Sequence, residues 1–197
     1  MTQQSPTEAP APDGRSLLPA PGRYVIDPAH SAISLTIRHL VVAKVRGRFT
    51  DFSGEINVTE DQLASTTTIS INVASIDTGV SDRDDHLRSA DFFDVEQYPT
   101  ATFESKTVVD AGDGTFTIDG QLTIRETTNP VTLKLEYGGE ATDPWGSTRA
   151  VFSASTEIDR EAFGLTWNQA LEAGGMMVGK IAKLEIDIEA IKPTDEG

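Results

Sequence analysis

The sequence predicts an all-β domain, an eight-stranded antiparallel meander with one or two short helices between strands. Three observations lead there. From Tyr24 onward, apolar residues recur at every second position, which puts alternate side chains on opposite faces of a sheet. Turn-forming runs, DAGDG at 110–114, ETTNP at 126–130 and DPWG at 143–146, punctuate the alternation at hairpin spacing. One long segment, 77–103, breaks the alternation and gathers charge, imidazole and aromatic rings. A sheet with one apolar face must cover it, either by closing into a barrel, which removes both edges, or by folding into a sandwich. Periodicity alone does not separate the two.

In the first strand Ile33, Leu35 and Ile37 share one face, and His39 joins them if the strand runs one residue further. After a turn at 40–43, Val45, Gly47 and Phe49 alternate with Lys44, Arg46 and Arg48, and Ser53 with Gly54 reads as a bulge before Ile56 and Val58. The third strand carries Ile69, Ile71 and Val73. The segment 77–103 follows. There Ser81 is placed to cap a short helix, with Asp82, Asp84 and Asp85 suiting its positive end and Asp84 pairing with Arg88 four residues on. Asp91 is placed to cap a second turn bearing Phe92, Phe93 and Val95, which Pro99 ends. These two helices form an expected lid over one end of the fold. The fourth strand then carries Ala101, Phe103 and Val109 inward, and the fifth Phe116, Ile118, Gly120, Leu122 and Ile124. The sixth offers Val131, Leu133, Leu135 and Tyr137, the seventh Ala150, Phe152, Ala154 and Ile158, and the eighth Ala182, Leu184, Ile186 and Ile188. Between the last two lies an irregular loop, REAFGLTWNQALEAGGMM.

The 197 residues suffice for one domain with a real core, expected over 22–192, with a disordered arm at 1–21 and a short tail at 193–197. The arm holds five of the ten prolines and no apolar run able to act as a signal peptide. The absence of cysteine excludes disulfides and thiolate chemistry, and a formal net charge of −15 argues against nucleic acid or anionic membrane as general partners. No stretch approaches the roughly 18 to 20 apolar residues that span a bilayer, so the expected protein is cytoplasmic without stable membrane insertion.

Inward residues of such a sheet ordinarily make a packed core. Gly47, Gly120, Ala150, Ala154 and Ala182 all fall on the inward parity, however, and would leave room along the axis. YVIDPAHSAISLTIRHLVVAKVRGRFTDFSGEI, SIDTGVSDRDDHLRSADFFDVEQYPTATFES and GQLTIRETTNPVTL together resemble the YceI family over about 24–190, and HLRSADFFDVEQYP is very characteristic of it. The resemblance implies an extended eight-stranded antiparallel lipocalin-like barrel that binds a long isoprenoid (polyprenyl or quinone-precursor) or similar lipid in a hollow interior. Glu126, Lys180 and the lack of an export signal depart from the family pattern.

On that reading the ligand is lined by Ile33, Leu35, Ile37, Phe49, Ile71, Phe103, Phe116, Ile118, Leu133, Phe152 and Leu184. Burying a tail contributes about 0.8 kcal/mol per CH₂, on the order of 3 to 4 kcal/mol per isoprene unit before association costs, against about 0 to 1 kcal/mol for an exposed ion pair. Tail length should set affinity and the head group orientation. Head-group candidates are Arg83, Asp84, His86 and Arg88 in RDDHLR, and His39 from inside the barrel, because arginine forks and imidazole donate to phosphate or carbonyl oxygens. The same residues also read as braces: Arg88 paired with Asp84, Arg83 holding a strand end, His39 as a hydrogen-bonded core residue. Arg38, Lys44, Arg46 and Arg48 form a basic stripe, a solvated face or a docking site for an anionic surface. No GxSxG, phosphate loop or HExxH is present, and the three histidines lack metal spacing, so no metal, cofactor or catalytic residue is expected. An isomerase or cyclase acting through His39 or His86, a fatty acid or amide as ligand, and a filled structural domain are the alternatives. A homodimer through the Trp167 loop is also open.

Overall fold

The structure is a computed structural model that describes residues 18–112, 114–172 and 174–193. Residues 1–17 of the expected arm and 194–197 of the expected tail lie outside the described residues. Of the remaining arm, Leu18 and Pro19 are buried against the barrel.

Eleven strand segments make one antiparallel sheet: β1 (Gly22–Ile26), β2 (Ala32–His39), β3 (Ala43–Phe49), β4 (Phe52–Val58), β5 (Thr66–Asn72), β6 (Ile76–Asp77), β7 (Thr100–Gly112), β8 (Thr115–Ile124), β9 (Thr127–Thr142), β10 (Thr148–Asp159) and β11 (Val178–Lys192). Three pairs are single staves interrupted once. A 3₁₀ turn at Pro28–His30 separates β1 from β2, Thr50 and Asp51 separate β3 from β4, and a second 3₁₀ turn at Val73–Ser75 separates β5 from β6. The eight resulting staves pair in chain order, and both β1 and β2 bond to β11, which closes an eight-stranded barrel. Closure settles the choice between barrel and sandwich.

Each interruption changes which parity faces inward, as a one-residue offset in a period-two pattern must. Tyr24 and Ile26 are buried in β1 but Ile33 in β2; Phe49 closes β3 and Phe52 opens β4. The bulge expected at Ser53 and Gly54 therefore sits earlier, at Thr50 and Asp51, where the Thr50 N–H leaves the ladder and donates to Ser75. Val109 is a second correction. The register slips between Ser105 and Thr107, so Val108 is buried and Val109 exposed.

The upper end of the barrel carries the β2–β3 tip, the insertion 78–99, the β8–β9 turn and the loop 160–177. The lower end carries Leu18, the 59–65 loop, the β7–β8 turn and the 143–147 turn. One α-helix, α1 (Ser81–Arg88), lies in the insertion. Its N-cap position is Val80, without a side-chain hydrogen bond, rather than Ser81, and 89–97 forms successive turns instead of a second helix. Asp91 accepts from the His86 ring, 2.9 Å from Nε2, and so is engaged away from the helix end it was expected to cap. Among the described residues, no helix is long and apolar enough to cross a membrane.

Candidate functional site

Alternation along the staves directs one apolar row from each into the barrel, where two cavities follow one another along the axis. The upper, about 110 Å³, lies among Ile33, Phe49, Ile71, Phe103, Leu122 and Leu184 and is roofed by Phe93 of the insertion and Leu165 of the loop 160–177. The lower, about 60 Å³, lies among Ile26, Val58, Ile118, Phe152 and Ile188, with Leu18 and Pro19 beneath. Ile69, Leu133 and Ile186 border both and form a waist.

Nine of the eleven lining candidates border these spaces: Ile33, Leu35, Phe49, Ile71, Phe103, Leu133 and Leu184 above, and Ile118, Phe152 and again Leu133 below. Ile37 is half-buried near the upper rim, and Phe116 is buried in the core; neither borders the upper or the lower cavity. The small inward residues divide. Ala154 and Ala182 border the lower and upper cavities. Gly120 leaves no space, because the Phe103 ring lies over it: a Cβ there would sit 2.4 Å from Phe103 Cζ. Gly47 is likewise met by Thr78 and Ile76, and Ala150 is fully buried.

None of the head-group candidates borders either cavity. Arg83 donates from Nε to Thr78 Oγ1 at 2.7 Å and from Nη2 to the Thr78 carbonyl at 2.9 Å. Asp84 is buried and accepts from the Thr78 N–H and hydroxyl at 2.9 and 2.5 Å, so it turns away from the expected partner Arg88. Arg88 instead pairs with Asp85 at 2.9 Å and donates to the carbonyls of Ala74 and Ile76. These three side chains tie α1 to the end of β6. His86 packs edge-on against Phe92 and Trp167, with ring centroids at 5.1 and 4.6 Å, which engages Trp167 within the chain. His39 ends β2 half-buried. In the basic stripe, Arg48 pairs with Asp77, while Arg46 and Lys44 lie close enough to Glu185 to hold its carboxyl low alongside Lys183, the first cause.

Two arginines mark the barrel ends, and neither was singled out from the sequence. At the lower end Arg149 donates to Asp143 (2.9 Å), Asp27 (3.0 Å) and Glu189. Its hydrogen bond is the first cause holding the Asp143 carboxyl below the usual range. Burial raises Asp27, but its bonds to His30 and Arg149 outweigh that and hold it low. Asp27, His30 and Glu189 place ligand atoms within 4.8 Å of one another, yet a cation there would compete with Arg149, which already bridges the two carboxylates. At the upper end Arg160 is 3 % exposed and borders the apolar cavity. It donates to the carbonyls of Gly179 (2.8 Å), Trp167 (3.0 Å) and Leu165, and among the described residues its Nη2 is the one buried side-chain polar atom without a hydrogen-bond partner. Burial lowers its pKa against the raising effect of Glu161 and Asp159.

At the β8–β9 turn, Arg125 adopts a positive φ, stacks over Tyr98 at 5.4 Å and lies 3.8 Å from Asp94, while Glu126 accepts from the Tyr98 hydroxyl. Lys180 pairs with Glu161 at 2.6 Å. Both positions that depart from the family pattern are thus engaged locally.

The YceI-like domain family matches over residues 24–190. A UPF0312 protein of Vibrio cholerae is 39 % identical over 145 residues, 72 % of this chain and 77 % of that protein. Among solved structures, BcnA from Burkholderia cenocepacia superposes with a TM-score of 0.73 at 23 % identity, covering 83 % of this chain and 98 % of the other. A polyisoprenoid binding domain from Saccharophagus degradans, implicated in plant cell wall breakdown, superposes with a TM-score of 0.65 at 15 % identity over 86 % and 98 % of the two chains. The two superpositions show a shared fold, and the match over 24–190 shows that the chain belongs to the YceI-like family.

Proposed function

We propose that the barrel binds a long-chain isoprenoid lipid, a polyprenyl chain or quinone precursor, with its tail along the axis, and stores or carries it unchanged. The observation that carries this is the pair of apolar cavities stacked through a shared waist. Such a space suits a narrow chain better than a compact ligand, and each added CH₂ gains about 0.8 kcal/mol if buried. Family membership and the related polyisoprenoid binding domain support the same class of ligand. A chain entering both cavities must displace the side chains of Ile69, Leu133 and Ile186, so the waist limits how far a tail reaches. A binding role fits the histidines better than catalysis does: the His86 ring is held by Asp91, Phe92 and Trp167.

The test is displacement of a hydrophobic fluorescent probe by prenyl alcohols of increasing length. Affinity is expected to rise with each isoprene unit and to level once the tail fills the lower cavity. Affinity independent of tail length, or no displacement by any member, overturns the proposal. Displacement by fatty acids or amides but not by prenyl chains replaces the isoprenoid with another amphiphile.

A further inference from the structure

We infer that Arg160 is the polar anchor of the ligand, so that the bound amphiphile carries an oxygen-acceptor head, tightest when anionic, placed at the upper end with its tail toward Leu18. This rests on the lipid-binding reading and adds to it the head-group chemistry and the direction of the chain.

Arg160 continues the inward parity of Ile158, but it is a cation among Ile33, Phe93, Leu165 and Ala182. A guanidinium has five N–H donors and no acceptor, and taking it out of water is costly unless those donors are met and the charge is balanced. Three carbonyls meet Nε and Nη1. They offer dipoles rather than a counter-charge. The nearest carboxylate oxygen to Nη2 is Glu161 Oε1 at 3.9 Å, beyond hydrogen-bond reach, and Glu161 is shared with Lys180, whose Nζ stands 2.6 Å from its other oxygen. Nη2 therefore keeps an unmet donor at the edge of an apolar cavity. A carboxylate, phosphate or carbonyl oxygen entering with a lipid would complete it, and charge-assisted donation favours the anion.

Among the described residues, the lower end offers no comparable unmet donor. The single Tyr24 O–H is already shared between the Ala20 carbonyl and Glu140, and Arg149 has three carboxylate partners. A head placed there would leave Nη2 unmet and compete with formed bonds. Three carbonyls holding Arg160 also fix the fork before the ligand arrives, so little side-chain entropy is lost on binding.

The two tryptophans allow a direct reading of orientation. Trp167 shares its carbonyl with Arg160, while Trp145 is exposed in the turn at the opposite end. In the full-length W145F protein, stearic acid bearing a nitroxide at carbon 5 should quench Trp167 more strongly than the isomer labelled at carbon 16. Unlabelled stearic acid should displace either label about ten- to a hundredfold better than its methyl ester. In R160M that preference should collapse; because Arg160 also braces the loop, the ligand-side comparison in the arginine-containing protein is decisive. Stronger quenching by the carbon-16 label, or equal binding of acid and ester, overturns the inference while leaving lipid binding intact. Failure of every fatty-acid probe and of the prenyl series to bind overturns both.

Discussion

The two ends of the barrel solve the same closure problem differently. The lower end is complete by itself: Leu18 and Pro19 cover the cavity, Tyr24 is fully buried with its hydroxyl shared between the Ala20 carbonyl and Glu140, and Arg149 sits among three carboxylates. Burial, with help from Glu140, raises the pKa of Tyr24, and the neighbouring Tyr137 is pushed up to about 12. The upper end is roofed by segments outside the meander: 78–99, where Arg83 and Asp84 bond Thr78 and Arg88 bonds the carbonyls of Ala74 and Ile76, and 160–177, where Arg160 bonds the carbonyls of Leu165, Trp167 and Gly179. It also contains the one described buried donor that the protein leaves unmet. The contrast predicts that the lower cap belongs to the cooperative fold and that the upper roof opens with less loss.

The comparison can be broken most forcefully in the cavity walls. Phe152→Ala, which removes a buried ring packed at a tilt against Tyr137 with centroids 5.4 Å apart, should cost about 3 to 5 kcal/mol in denaturant unfolding. A loss below about 1 kcal/mol would mean the lower region is not the tightly packed part. A smaller effect is expected above. Asp84→Ala leaves the Thr78 N–H and hydroxyl without their acceptor and should cost about 1 to 3 kcal/mol. Hydrogen exchange should accelerate in 78–99 and remain unchanged in β1 and β11; uniform acceleration would make the insertion part of the global unit.

The smallest effect is electrostatic and appears only in acid. Asp27 and Asp143 have folded pKa values below their unfolded ones, so their contribution is present above the unfolded carboxylate value of about 3.9 and is lost as pH falls through the folded values. The melting temperature should therefore drop below about pH 4, and Arg149→Met should flatten the part of that drop owed to these two groups. An unchanged acid profile in that variant would remove Arg149 from the lower cap.

Much of the barrel was legible because period-two burial is a local property: the inward rows of β2, β8, β9 and β11 follow directly from their residues. The parity changes were not, since nothing in the local sequence marks Thr50 and Asp51 or the slip at Lys106 as the break, and each depends on the neighbouring stave. RDDHLR promised a head-group site because its charges are dense, yet those charges satisfy the backbone around Thr78, Ala74 and Ile76. Arg160 could have been found: it continues the parity of Ile158 and so points inward. The Arg149 cluster could not, because Asp27, Asp143 and Glu189 meet only when the barrel closes.

Native mass spectrometry of the freshly purified protein, followed by organic extraction, tests the hollow interior most directly. A stoichiometric long-chain lipid, released intact and identified as a prenyl chain, is the predicted result. A bare polypeptide mass that stays unshifted after incubation with polyprenyl phosphate and with fatty acids would contradict it and identify the cavities as packing defects of a filled core.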